Sequence, residues 1–169
     1  WPGNALGLAL TGSGYNLGVW DGGVVYKQHQ DLTGRITNKD NTSISDHATH
    51  VTGTLVGSDS NNEARGMAYQ ATLDAYDWNS DNSEMASAAS SGLLISNHSY
   101  GQITGWRYRD DKSEWYWYGA PQISQKEDYR FGFYNRDARN WDQIARSAPY
   151  YLIVKSAGND RNDDGPSGS

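Results

Sequence analysis

Residues 45–57 read SDHATHVTGTLVG. Two of the four histidines, His47 and His50, stand three apart among small residues, and the chain has no cysteine. At i and i+3 on a helix, two imidazoles share a face. Two chemistries suit such a pair. A zinc site needs a further ligand, and the glutamate of an HExxH pattern is missing, because Ala48 and Thr49 lie between the histidines. A catalytic base at the start of a buried helix needs small neighbours instead, so that the helix packs closely on other backbone. The stretch suits this second use better, and the rest of the sequence bears on it.

The chain has 169 residues, which points to one domain with a real core. Mean hydropathy is −0.82, yet apolar residues gather in short clusters such as LGVW, GLLIS and YYLIVKSAG. Such clustering predicts buried strands joined by polar loops, not disorder. No apolar run reaches the ~20 residues of a membrane span. A net charge of −6, with scattered Lys and Arg, argues against nucleic acid as a partner. The lack of cysteine excludes disulfides and thiolate metal sites.

Strand-like and helix-like stretches alternate. NLGVWD, TLDAYDW, LLISNHSYG and YYLIVKSAGN read as strands, the last two as buried ones. THVTGTLVG, SEMASAASSG and DARNWDQIARSAP read as helices, the second with a serine cap and Glu84 in its first turn. This order predicts an α/β fold with a mostly parallel central sheet and helices on both faces. In such sheets function collects beyond the carboxyl ends of the strands. The polar punctuation there is Asp21, Ser99-Tyr100-Gly101 and Gly158-Asn159. Residues 102–137 break the alternation. Seven of the nineteen Trp and Tyr residues fall between Trp106 and Tyr129, and the stretch reads as a surface insertion.

Asp21 ends an apolar strand and precedes Gly22-Gly23, so it is either a turn aspartate or a buried acid with a partner. Asn159 closes SAGN after another strand, where its amide suits donation to a developing oxyanion. In order, GVWDGG, DHATHVTGTLVG, GMAYQATLDAY, ISNHSYG and IVKSAGND resemble the motifs of the subtilisin-like serine peptidases. The resemblance spans about residues 14–101 and 138–160, which makes the chain the N-terminal part of such a domain, its fold incomplete here. It implies that Asp21 orients an imidazole, that His47 is general base and then general acid, and that Asn159 stabilises the tetrahedral intermediate. It implies further that Ser99, Tyr100 and Gly101 pair with substrate backbone, opposite a pocket wall of Ser156, Ala157 and Gly158. His50 matches the family's second, non-catalytic histidine and is assigned to structure.

The nucleophile of this family sits in a GTSxA motif, which the chain lacks. Ser167 and Ser169 in GPSGS, and Ser13 and Ser45, have no such context. The resemblance therefore implies a serine endopeptidase cut in the exposed NDRNDDGPSGS stretch, its serine carried by a bound C-terminal fragment. The competing reading is an inactive peptide-binding protein on the same fold, and a metal-dependent hydrolase comes third. Further partners are protein or peptide substrates and a propeptide, whose removal leaves Trp1 first. The implied setting is extracytoplasmic. No cofactor is required. Structural calcium is implied by the family alone, because Asp160, Asp163 and Asp164 match no defensible ligand set.

Overall fold

The computed structural model describes residues 10–60, 64–160 and 165–166. Five strands form one parallel sheet: β1 (Asn16–Asp21), β2 (Ile36–Asn38), β3 (Thr72–Asp77), β4 (Ile95–His98) and β7 (Leu152–Lys155). Their order is β2-β3-β1-β4-β7. The antiparallel pair β5 (Trp106–Arg109) and β6 (Glu114–Trp117) stands apart. Helices α1 (Asp46–Val56), α2 (Asp81–Ser90) and α3 (Arg136–Ser147) connect the strands. The fold is α/β and mostly parallel, as the alternation predicts.

Alternation along the central strands separates two cores. Val19, Leu73 and Ala75 face one side and pack with Ala48 and Val56 of α1. Ala48, Thr52 and Val56 are the buried residues of α1, spaced by four, and form one stripe. Trp20 and Tyr76 face the other side and pack with Met85 of α2 and Ile144 of α3. Helices thus cover both faces. The chain reaches β2 and β3 on one side of β1, then crosses to β4 and β7 on the other. β1 is therefore central, and the strand order changes direction around it. A crevice at its carboxyl end is the expected place for a site.

Three local expectations need correction. α2 begins at Asp81, with Ser80 in the cap position making no side-chain bond, so Ser83 is inside the helix and is not its cap. Trp78 leaves the strand and opens a 3₁₀ turn, which Asp77 caps by accepting from Asn79 N–H at 2.7 Å. The LIVK strand, expected to be buried, is the sheet's edge here, with Leu152 58% and Val154 42% exposed. Residues 102–137 carry the β5–β6 hairpin. Trp106 and Trp117 pair across the hairpin at 5.2 Å. Buried Asp128 accepts from Gly105 N–H at 2.9 Å and from Arg130 Nη2 at 2.9 Å, and Arg130 also donates to the Tyr118 carbonyl. That clasp ties the 128–130 turn to the base of the hairpin.

The GMAYQATL segment passes close to the end of α1. A Cβ on Gly66 would meet the backbone of Val56 and Gly57, with Val56 N at 2.7 Å. Gly66→Ala is expected to destabilise the protein by about 1–3 kcal/mol. Gly53 is the internal control, because a Cβ there meets nothing within 4 Å. Gly53→Ala, inside α1, is expected to stabilise by roughly 0.5–1 kcal/mol. Urea midpoints of the two variants should move in opposite directions.

Candidate active site

Asp21 ends β1 and is only 2% exposed. Burying a carboxylate is costly unless donors replace its water. Two donors do so: Gly22 N–H at 2.7 Å, and His47 Nδ1, which lies 2.8 Å from both carboxylate oxygens. A carboxylate only accepts, so Nδ1 carries the proton in the neutral imidazole and Nε2 is left as an acceptor. His47 is exposed, with its ring held from one side and free on the other.

Local sequence brings the two residues together. Ser45 caps α1, its hydroxyl accepting from Ala48 N–H at 3.1 Å, which places His47 in the first turn. The strand-like exchange Val24 N–H to Ser43 O (3.0 Å) and Ser45 N–H to Val24 O (2.9 Å) draws that turn against the end of β1. Gly23 allows the approach. Its φ is +148°, and a Cβ there would lie 2.5 Å from the Ser43 carbonyl oxygen.

His47 borders a groove of about 710 Å³. The groove also contains Ser99, Tyr100 and Gly101 after β4, and Ser156, Ala157, Gly158 and Asn159 after β7. β4 and β7 stay paired to His98 and Lys155, and Ser156 N–H donates to His98 O at 3.1 Å. Beyond that point the two chains diverge and frame the groove. The 102–137 segment contributes Ile103, Arg107 and Phe131 to its border, and Arg107 lies 3.7 Å from Asp160.

Sequence reasoning passed over His98, the middle residue of SNHSY. It is fully buried and lies in a one-way chain of hydrogen bonds. Tyr151 OH donates to Ser96 Oγ (2.6 Å), and Ser96 Oγ is 2.8 Å from His98 Nε2. His98 Nδ1 is 3.1 Å from Tyr100 OH, which donates to Asp81 Oδ2 at 2.8 Å. The carboxylate end fixes the direction, so His98 is neutral with its proton on Nδ1. Burial, with the nearby Lys155 charge adding to it, lowers its pKa from 6.5 to about 3. The same burial, reinforced by the bond to Asp81, pushes the Tyr100 phenol well above its ordinary value. The signal in the sequence was a histidine at an inward position of a strand that follows an apolar run.

Asp21 and His47 are thus in contact. The six residues assigned to the two substrate walls, together with Asn159, share the groove with His47. His50, assigned to structure, is exposed and lies beside a separate depression with Tyr26, Ile44 and Met67. Ser13 is exposed at a turn and Ser45 is the helix cap, whereas Trp1, Ser167 and Ser169 lie outside the described residues. No group of three or more His, Asp or Glu among the described residues is arranged to hold a metal ion, and Asp160 faces Arg107. Asp163 and Asp164 lie outside the described residues. No described helix is long and apolar enough to cross a membrane.

The model of the subtilase family matches residues 12–169, and the chain belongs to that family. Comparison with curated protein sequences gives no match. Among solved structures, the prenylagaramide maturation protease PagA matches at 20% identity and TM-score 0.56, over 86% of this chain and 46% of that one. A cold-adapted subtilisin-like serine proteinase matches at 18% identity and TM-score 0.52, over 89% and 49%. The nisin leader peptidase NisP from Lactococcus lactis matches at 20% identity and TM-score 0.51, over 86% and 44%. These likenesses show a shared fold. This chain spans about half the length of the structures it matches.

The His98 relay has a pH signature. Because its pKa is depressed in the folded state, the unfolded chain binds the proton first as pH falls. The stability that neutral His98 carries is complete above pH 6.5 and is lost between pH 6.5 and about 3. His98→Gln is expected to cost about 1–3 kcal/mol at pH 8, through the hydroxyls it leaves poorly paired. The cost should shrink as pH falls across that window. Urea titrations of both proteins at pH 8 and pH 4.5 check the difference.

Proposed function

We propose that this subtilase-family chain supplies two of three triad residues, and the oxyanion donor, of a serine endopeptidase acting through an acyl-enzyme. The carrying observation is the contact of buried Asp21 with both oxygens against His47 Nδ1, which turns Nε2 toward solvent as a base. A serine hydroxyl loses its proton to His47 Nε2 as its Oγ attacks the peptide carbonyl. Asp21 holds the tautomer and stabilises the imidazolium that forms. The Asn159 amide donates to the oxyanion. His47 then returns the proton to the leaving amine, water attacks the ester, and the cycle closes. Substrate backbone adds as a strand along Ser99-Tyr100-Gly101, opposite Ser156-Ala157-Gly158. The chemistry needs no cofactor. The natural substrates are proteins or peptides, and the setting is outside the cytoplasm, with a propeptide removed during maturation.

The nucleophile, in this reading, comes from a C-terminal fragment of the same peptidase, separated by a cut and still bound. The apolar edge of β7 supports this arrangement. Leu152 and Val154 are exposed there on a strand with one free side, a surface suited to a further strand and its covering helices.

Denaturing intact-mass spectrometry after treatment with a fluorophosphonate probe tests both statements. A second, separate fragment should gain the probe mass, while these 169 residues gain none. His47→Ala should abolish labelling. Asn159→Ala should lower kcat roughly 10²–10³-fold with KM little changed, a magnitude taken from subtilisin itself. Labelling absent from every species would favour an inactive peptide-binding protein on the same fold.

A further inference from the structure

The groove beside His47 carries more positive charge than the chain as a whole. The protein has a net charge of −6, yet Arg107 and Lys155 both border the groove, against Asp160 as the one carboxylate among its described lining residues. Asp160 faces Arg107 at 3.7 Å, so that pair largely satisfies itself. Lys155 differs. Its Nζ lies 4.4 Å from the centre of the Tyr100 ring, and it forms no ion pair among the described residues. Asp81 acts on it from a distance, but Asp81 Oδ2 already accepts the Tyr100 hydroxyl.

The position of Lys155 gives the charge a use. Lys155 is the last residue of β7 and is paired in register with His98. It therefore stands where the Ser99–Gly101 and Ser156–Gly158 segments part, at the base of the groove. Its ammonium lies over the ring of Tyr100, whose hydroxyl is fixed by His98 and Asp81. Lys155 is exposed to the groove, and partial desolvation beside the ring lowers the pKa of its ammonium. A partly desolvated cation without a carboxylate partner is stabilised when a ligand brings one.

We propose that Lys155 is a specificity-determining residue that selects substrates bearing an acidic side chain, Asp or Glu, where the peptide crosses the base of the groove. This rests on the peptidase reading given above. The ring of Tyr100 and the small residues Ser156 and Ala157 leave room beside the ammonium for a short carboxylate arm.

The test uses the full-length mature peptidase and internally quenched peptides in matched pairs, with Glu or Gln at each position flanking the scissile bond. At one position the wild type should prefer Glu in kcat/KM by roughly tenfold, falling as salt is raised. Lys155→Gln should bring that ratio to about one, and Lys155→Arg should keep it well above one. A purely structural lysine stacked on Tyr100 would leave the ratio unmoved by either change. Equal cleavage of Glu and Gln peptides by the wild type at every position overturns the proposal without any variant. So does a preference that survives Lys155→Gln. In both cases cleavage itself upholds the peptidase reading. Failure to cleave any peptide, with no fluorophosphonate labelling, overturns both.

Discussion

The structure depends on one buried charge. Asp21 sits at the end of the central strand, where water cannot reach it, and an uncompensated carboxylate there would cost several kcal/mol. Its compensation comes from Gly22 N–H and the His47 imidazole. For His47 to arrive, α1 must start against the end of β1, so the residues before the helix must bond to those after the strand. Gly23 must then pass close to the Ser43 carbonyl. The sheet order serves the same end. With β2 and β3 on one side of β1, α1 lies across the face that Val19 and Ala75 present. The Asp21–His47 contact compensates a buried carboxylate, so its geometry is held by stability as well as by the proposed function.

The two faces of the sheet have different duties. The α1 face is aliphatic and positions His47. The α2–α3 face is aromatic and polar and positions Tyr100 beside the groove. There Tyr76, Trp20, His98 and Lys155 form one row across four strands in register. Trp20 stacks on Tyr76 at 4.2 Å and on His98 at 5.1 Å, and its indole donates to Glu84 at 3.0 Å. The relay from Tyr151 to Asp81 runs through this layer in one direction. Reversing any hydroxyl would leave a buried proton without an acceptor, so the network has one arrangement and Tyr100 has one place.

Much of this was legible in the sequence because it is local. Asp21, His47, Ser99–Gly101 and Ser156–Asn159 each sit where an apolar run meets small or polar residues, and that boundary is a strand end or a helix start. Their convergence was readable only through the ordered resemblance to a family, since no spacing along the chain encodes a contact between residues 21 and 47. What was missed depends on distant partners. β2 has three residues and is a strand only because β3 lies beside it. His98 reads as an ordinary polar residue until Ser96, Tyr100 and Tyr151 surround it. The hairpin at 106–117 was hidden because its alternation is aromatic against charged, with indoles packing on each other and not on the main core.

β7 joins these points. Its LIVK sequence is the continuous apolar run of a parallel strand covered on both faces, yet here it forms the sheet edge. Composition and environment disagree at this strand more than at any other, and the groove opens beside it. A segment that paired with β7, with a helix packed over it, would cover Leu152 and Val154 and remove this edge. The need to bury an apolar edge and the need for a nucleophile are then met by the same piece of structure. In the proposed two-chain enzyme, covering the core and completing the site would be one event.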